Sequence, residues 1–383
     1  MRNMYRFEWQ KLMKRKLFLI LLILIVSLIA ILFVFYQSQF NFEKENEINS
    51  EQEEIQSIEM AIQGVKADPA KSIAKNQVLS EYERDLKVAK AKLEAMKQGK
   101  SKERLKLQIT EDKNLLQDVR SGNTYTEMTE KQLEMQIALK EKYDQGNFEY
   151  SGTEFHLNGS GFTLGALQFL FPYIFPLLFL LASLTVIGSD IDSGKLRFFW
   201  SLPIKKRHVL LTKELVALTS GGIFLLVTLS AAYLIPSLKN GFKTFQMPAI
   251  IQKGADFYIG TEGEVLAAAV IIAVFIVLFL VSLLTVLNLV CRNNILSVII
   301  IFLLIFSSGF LLGKMESDAG ILLMFNPFVY VDVVNLANGN IGAKLGSSFI
   351  NVITGVGVLL SYIVICQLLI FKLSTNEKLI LNK

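Results

Sequence analysis

LFLILLILIVSLIAILFVFY occupies residues 17–36, directly after Lys14-Arg15-Lys16, and holds no charged side chain. Twenty such residues wound at about 1.5 Å each reach about 30 Å, the thickness of a bilayer's hydrocarbon core. Five further charge-free stretches follow at 162–188, 215–236, 265–290, 293–313 and 349–371. With 52% hydrophobic residues and a mean hydropathy of +0.44, the 383-residue chain is too apolar for a soluble domain. The pattern predicts an all-α membrane protein with six transmembrane helices. The first stretch reads as a retained anchor because it is longer than a signal-peptide core and no small-residue cleavage site follows Tyr36.

Orientation follows from Lys and Arg near the span ends. With the N-terminus inside, the cytoplasmic segments 1–16, 189–214, Arg292 and 372–383 carry 16 basic residues, against five in the short outer loops 237–264 and 314–348. Both termini, including the tail 372–383, are therefore expected in the cytoplasm. The long segment 37–161 then lies outside the cell as a large helical insertion between the first two spans. It holds 23 of the 34 acidic residues. Its apolar residues recur at steps of three and four: Ile55, Ile58, Ile62 and Val65 form one coiled-coil-like seam, and Leu79, Tyr82, Leu86, Ala89, Leu93 and Met96 another. Breaks are expected at Gly64, Asp68-Pro69 and Gly99, with later helices around 105–119 and 126–143. Antiparallel helices returning to the membrane are the economical arrangement. Residues 149–155 alternate like a short strand or extended linker.

Two features bracket the remaining spans. Residues 1–16 mix Phe7, Trp9 and other apolar side chains with Lys11 and further cations, as an interfacial helix or a plain stop-transfer flank does. The outer loop 314–348 holds Asn326-Pro327-Phe328 among apolar residues and reads as short helices at the outer interface. Pro172 and Pro176 are expected to kink the second span. Gly309 and Gly313 form a small-xxx-small pair suited to close helix packing.

The stretch GSDIDSGKLRFFWSLPIKKR, residues 188–207, superficially suggests a phosphate loop. Five residues separate its glycines, Leu196 stands where a magnesium-binding Ser or Thr belongs, and no buried strand precedes it. This chain is therefore expected to bind no ATP, magnesium or other cofactor. An acidic turn, an amphipathic aromatic helix, a Leu-Pro stop and a basic helix start make either a lever for a soluble partner or a polar loop obeying the charge rule. No catalytic constellation is present, so no enzyme is read here. Cys291 and Cys366 fall at inner span ends, where thiols stay reduced, and His156 and His208 fall on opposite sides; no disulfide or metal is expected.

The acidic residues before Gly194, the hydrophobic run to Leu202-Pro203, and the cluster from Lys205 to Arg207 with Lys213-Glu214 resemble the loop between the second and third spans of ABC-2 type permeases. These are the membrane subunits of type V ABC exporters. The six spans, the amphipathic N-terminus, the insertion after the first span and Asn326-Pro327-Phe328 before the last add to the likeness. The resemblance implies a coupling loop over 189–213, with Asp190, Asp192, Gly194, Lys195, Leu202, Pro203, Lys205, Arg207 and Lys213 docking on a separate ATPase subunit. It also implies an elbow helix over 1–16 carrying Phe7, Trp9 and Lys11. Family members often carry Glu where this chain has Asp190 and Asp192.

Because the spans hold no ionisable group, energy must come from a partner, which favours an ATPase. Asn288, Asn351, Thr354 and Gln367 are candidates to line a path, and hydrogen bonding between packed helices accounts for them equally well. The leading reading is a dimeric permease in a bacterial cell membrane, homodimeric or paired with a paralogue. It would export an apolar or amphipathic compound such as a peptide antibiotic, drug or lipid-like molecule, with no nucleic-acid partner. The rivals are a non-transporting surface scaffold or receptor anchored by the spans, and a mechanotransmitter that uses a partner's ATP to reshape the outer segment.

Overall fold

The computed structural model describes residues 2–67, 73–122, 126–153, 155–188, 206–254, 256–314 and 323–375. The described chain is mostly helical and divides into two compact units, one comprising Met1–Phe33, Asn158–Gln246 and Ile251–Lys383, the other Val34–Leu157 with Met247–Ile250.

The first unit contains α1 (Arg2–Lys14), the start of α2 (Leu17–Ala67), α6 (Gly159–Leu170), α7 (Ile174–Ile187), α8 (Lys206–Asn240), α9 (Glu262–Cys291), α10 (Asn294–Lys314) and α13 (Val352–Thr375). Five described helices are long and apolar enough to cross a membrane, or six if the bent pair α6 and α7 forms one span. That pair bends by 67° at Phe171-Pro172-Tyr173. Pro172 has no N–H for the carbonyl one turn back, so the helix stops there. Pro176 sits in the first turn of α7, where a missing N–H costs nothing.

Helix α9 is apolar on all sides and forms the centre of this unit, as such a helix must to be covered. Ala269, Ile272, Ile276, Leu280 and Leu284 are fully buried. Helix α13 packs along it, and α8, α7 and α10 surround it. The outward faces stay apolar: Ile23, Ile295, Leu303, Ile353 and Leu368 are 59–84% exposed. A continuous apolar surface of that kind suits hydrocarbon and not water. This is a multi-pass membrane protein.

Helix ends depart from the apolar windows. Helix α8 begins at Lys206, well before the stretch 215–236, and buries Lys213 and Glu214; α9 buries Glu262 at its first turn. These charges lie just beyond the apolar stretches, because a hydropathy window is cut at a charge whereas helix packing continues wherever that charge finds a partner.

Two strands, β1 (Pro248–Lys253) and β2 (Asp256–Thr261), form a hairpin that the sequence reading passed over. After α10, a 3-10 turn (Pro327–Val331) leads into α11 (Val333–Ala337) and α12 (Asn340–Lys344). Asn326 holds the turn: its Oδ1 accepts from the Phe328 amide and its Nδ2 donates to Ser308 Oγ on α10. Gly309 faces the Tyr173 ring so closely that a Cβ would overlap its hydroxyl, whereas Gly313 faces open space.

In the second unit the rest of α2, α3 (Ile73–Lys97), α4 (Ser101–Ser121) and α5 (Glu130–Gln145) follow one another, and the ion pairs Lys66–Glu83 with Glu51–Lys92, and Lys113–Glu141 with Arg120–Glu134, set α2 against α3 and α4 against α5 antiparallel. Helix α2 continues through Gly64 to Ala67 with no break at the glycine. Ile55, Ile62, Ala89 and Met96 are buried. Lys92 bridges Glu51 and Glu111 at 2.9 Å each, and Lys140 meets Asp112 at 2.6 Å. Residues 149–153 and 155 have no regular structure, while Tyr143, Phe148 and Tyr150 pack with Leu105 and Ile109. Thr129 and Gln132 close a reciprocal capping box at the start of α5.

Candidate functional site

Helices α7 and α8 end and begin on either side of residues 189–205, and α1 packs against both. Helix α1 turns Leu12 and Glu8 inward, while Phe7 is 54% exposed. Glu8 Oε1 lies 2.9 Å from Lys213 Nζ of α8, with both side chains almost completely buried. Lys213 also donates to the Val186 carbonyl at 3.2 Å, and Arg15 donates to the Thr185 carbonyl at 3.1 Å. The last carbonyls of α7 have no partner within their own helix, and two cations at that negative dipole end supply donors. Lys11 reaches Glu8 Oε2 at 3.5 Å, the Tyr5 hydroxyl donates to Thr219 at 3.0 Å, and Trp9 stacks on Tyr5. Three elements are thus locked together at the point where the chain leaves for 189–205.

Of the residues assigned to coupling, Asp190, Asp192, Gly194, Lys195, Leu202, Pro203 and Lys205 lie outside the described residues. Arg207 is exposed, its guanidinium 5.3 Å from the Phe371 ring centre on α13. Lys213 points into the bundle and not toward solvent.

The residues named as path candidates do not converge. Asn351 and Thr354 cap α13: each backbone N–H donates to the other's side chain at 3.1 Å. Gln367 lies sixteen residues further along α13, about 24 Å at 1.5 Å per residue. Asn288 on α9 is 0% exposed, and among the described residues neither atom of its amide has a partner.

Gln367 instead meets a carboxylate that the sequence reading left outside the site. Its Nε2 lies 3.3 and 3.2 Å from the two oxygens of Glu214 and 3.2 Å from Ser282 Oγ. The Thr285 hydroxyl also faces Glu214. Helices α8, α9 and α13 therefore meet at one buried carboxyl. Ser282, Thr285 and Asn288 recur every three residues on α9, the one signal in the sequence that marked this polar stripe.

A separate cavity of about 350 Å³ lies where Pro172 and Tyr173 interrupt the helix, walled by Gly309, Phe328, Asp332 and Asn335 among others. The Asp332 carboxyl accepts from Asn335 Nδ2 at 2.8 Å, and Asn335 Oδ1 accepts from Asn340 and Gln168. Burial pushes Asp332 above the usual carboxylate range despite those bonds. Among the described residues no three His, Cys, Asp or Glu side chains gather as a metal ion would require.

A family model described as an ABC-2 family transporter protein matches residues 2–374. No curated protein sequence and no solved structure matches the chain.

Proposed function

Since this chain belongs to the ABC-2 family of transporter membrane proteins, we propose that it is the permease subunit of an ATP-driven exporter whose nucleotide is hydrolysed by a separate chain. The permease dimerises, its termini lie in the cytoplasm of a bacterial cell, and residues 37–161 stand outside the cell membrane. Its cargo is an apolar or amphipathic compound. ATP and magnesium belong to the partner subunit.

One observation carries this reading. The flanks of residues 189–205 are tied into a single unit by Glu8, Lys213 and Arg15. A partner pressing on 189–205 therefore moves the end of α7, the start of α8 and the interfacial helix α1 together. Side chains held by a buried charge pair transmit displacement instead of absorbing it, since separating the charges in a low-dielectric setting is unfavourable. Asp190, Asp192 and Pro203 are the proposed contacts for the partner, and Arg207 stands exposed near the start of α8.

The test is co-purification of a stoichiometric ATPase, followed by reconstitution. Pro203→Ala and the double change Asp190→Ala with Asp192→Ala should lower transport per ATP hydrolysed, and unchanged coupling would remove the mechanism. The size of the unit Val34–Leu157 supports a second reading, in which the same stroke reshapes that unit to control an external partner. It keeps the ATPase and predicts no cargo movement in vesicles.

A further inference from the structure

Glu214 is 4% exposed and lies between three helices, yet among the described residues no cationic side chain pairs with it. Lys213, its neighbour in sequence, is turned about 100° away around the helix and is committed to Glu8 and Val186. The donors that do reach Glu214 are too few. Gln367 Nε2 has two hydrogens for three acceptors, the two Glu214 oxygens and Ser282 Oγ. The single Thr285 hydroxyl hydrogen is shared with the Val281 carbonyl at 2.9 Å. A buried carboxylate accepts about four hydrogen bonds and is costly to leave short of donors and of counter-charge. Ionisable groups kept inside membrane bundles mark ligand or ion paths.

We propose that Glu214 receives the protonated amine head of an amphipathic cargo. A protonated amine brings both the missing donors and the missing charge. One turn beyond Thr285, Asn288 adds a fully buried amide with both atoms unpartnered among the described residues. Leu210, Val286, Leu289, Cys366 and Ile370 form an apolar cluster against the same three helices, suited to the aliphatic or aromatic remainder. The inference rests on the permease reading and narrows its cargo to lipophilic amines.

The experiment uses the full-length chain in phosphatidylcholine nanodiscs, without an ATPase, so a negative result leaves the permease reading intact and a missing ATPase leaves this one intact. The probe is tritiated N,N-dimethyldodecylamine, protonated at neutral pH and so carrying one N–H donor with the charge, with dodecanol as the uncharged molecule of the same chain length. Saturable binding of the amine above that to empty nanodiscs is expected, weakened about tenfold or more by Glu214→Gln, as removal of one desolvated charge pair does. Glu214→Asp should retain binding, and dodecanol should not compete. If Glu214→Gln does not fold, dicyclohexylcarbodiimide labelling of Glu214 in the unaltered chain decides: the amine should slow it and dodecanol should not. Binding no greater than to empty nanodiscs, equal binding by folded Glu214→Gln, equal competition by dodecanol or unprotected labelling would each overturn the proposal.

Discussion

Lys213 Nζ sits 2.9 Å from Glu8 Oε1 with the two side chains 1% and 0% exposed, so a residue near the start of the chain and one in α8 share a buried charge pair. Removing one partner takes from the other its nearest buried counter-charge, a change that typically costs up to about 3–5 kcal/mol. Glu8→Gln and Lys213→Met should each lower the thermal unfolding midpoint in detergent. The double change Glu8→Leu with Lys213→Met should recover much of the loss, because no orphaned charge remains. A double mutant as unstable as the sum of the singles would show that the pair is not coupled.

Close packing of α7, α8 and α9 depends on Gly221, where a Cβ would fall 2.6 Å from a Phe179 ring carbon and 2.7 Å from a Val277 methyl. Neither neighbour has room to withdraw in a filled interior. Gly221→Val should therefore destabilise the bundle by about 1–3 kcal/mol, the usual cost of overpacking. Gly222→Val, next to it and facing open space, is the control and should unfold at nearly the native temperature.

Thr129 caps α5 and exchanges hydrogen bonds with Gln132. Thr129→Ala should weaken the first turn by about 1 kcal/mol. Hydrogen exchange of amides 130–133 in the full chain should quicken several-fold while α4 amides around Ile109 stay protected.

Asp332 has a pKa raised by burial, so the folded state holds its proton more tightly than the unfolded chain does. Its ionisation then opposes folding: stability falls as pH rises from the ordinary carboxylate value through the folded one, and the penalty persists above it. Asp332→Asn, which keeps an oxygen for the Asn335 side chain, should unfold at a higher temperature than the native chain at neutral pH. That advantage should shrink toward pH 4. An advantage that grew on acidification would contradict the sign.

Local features of the chain were legible in the residues themselves. A run such as 17–36 needs no knowledge of its neighbours to be apolar over a bilayer's thickness. Pro172 breaks a helix by lacking one N–H, and the steps between Ile55 and Ile62 or between Ala89 and Met96 place each pair on one buried face. Gly64 misled because a helix tolerates one glycine at a cost of about 1 kcal/mol when packed neighbours offset it. The hairpin at 248–261 was masked by its position in a short loop between strongly apolar segments.

Membership of the helices, their apolar faces and the family likeness were therefore determined by sequence alone, since each depends on residues close together along the chain. Which polar residues act together was decided only by the tertiary structure. Lys213 and Glu214 are adjacent in sequence, yet one faces Glu8 and the other Gln367, while Asn351 caps a helix far from Asn288. The physical reason is that a buried charge or amide is stabilised by whatever donor the packing brings to it, and packing joins positions 205 residues apart that no local pattern connects.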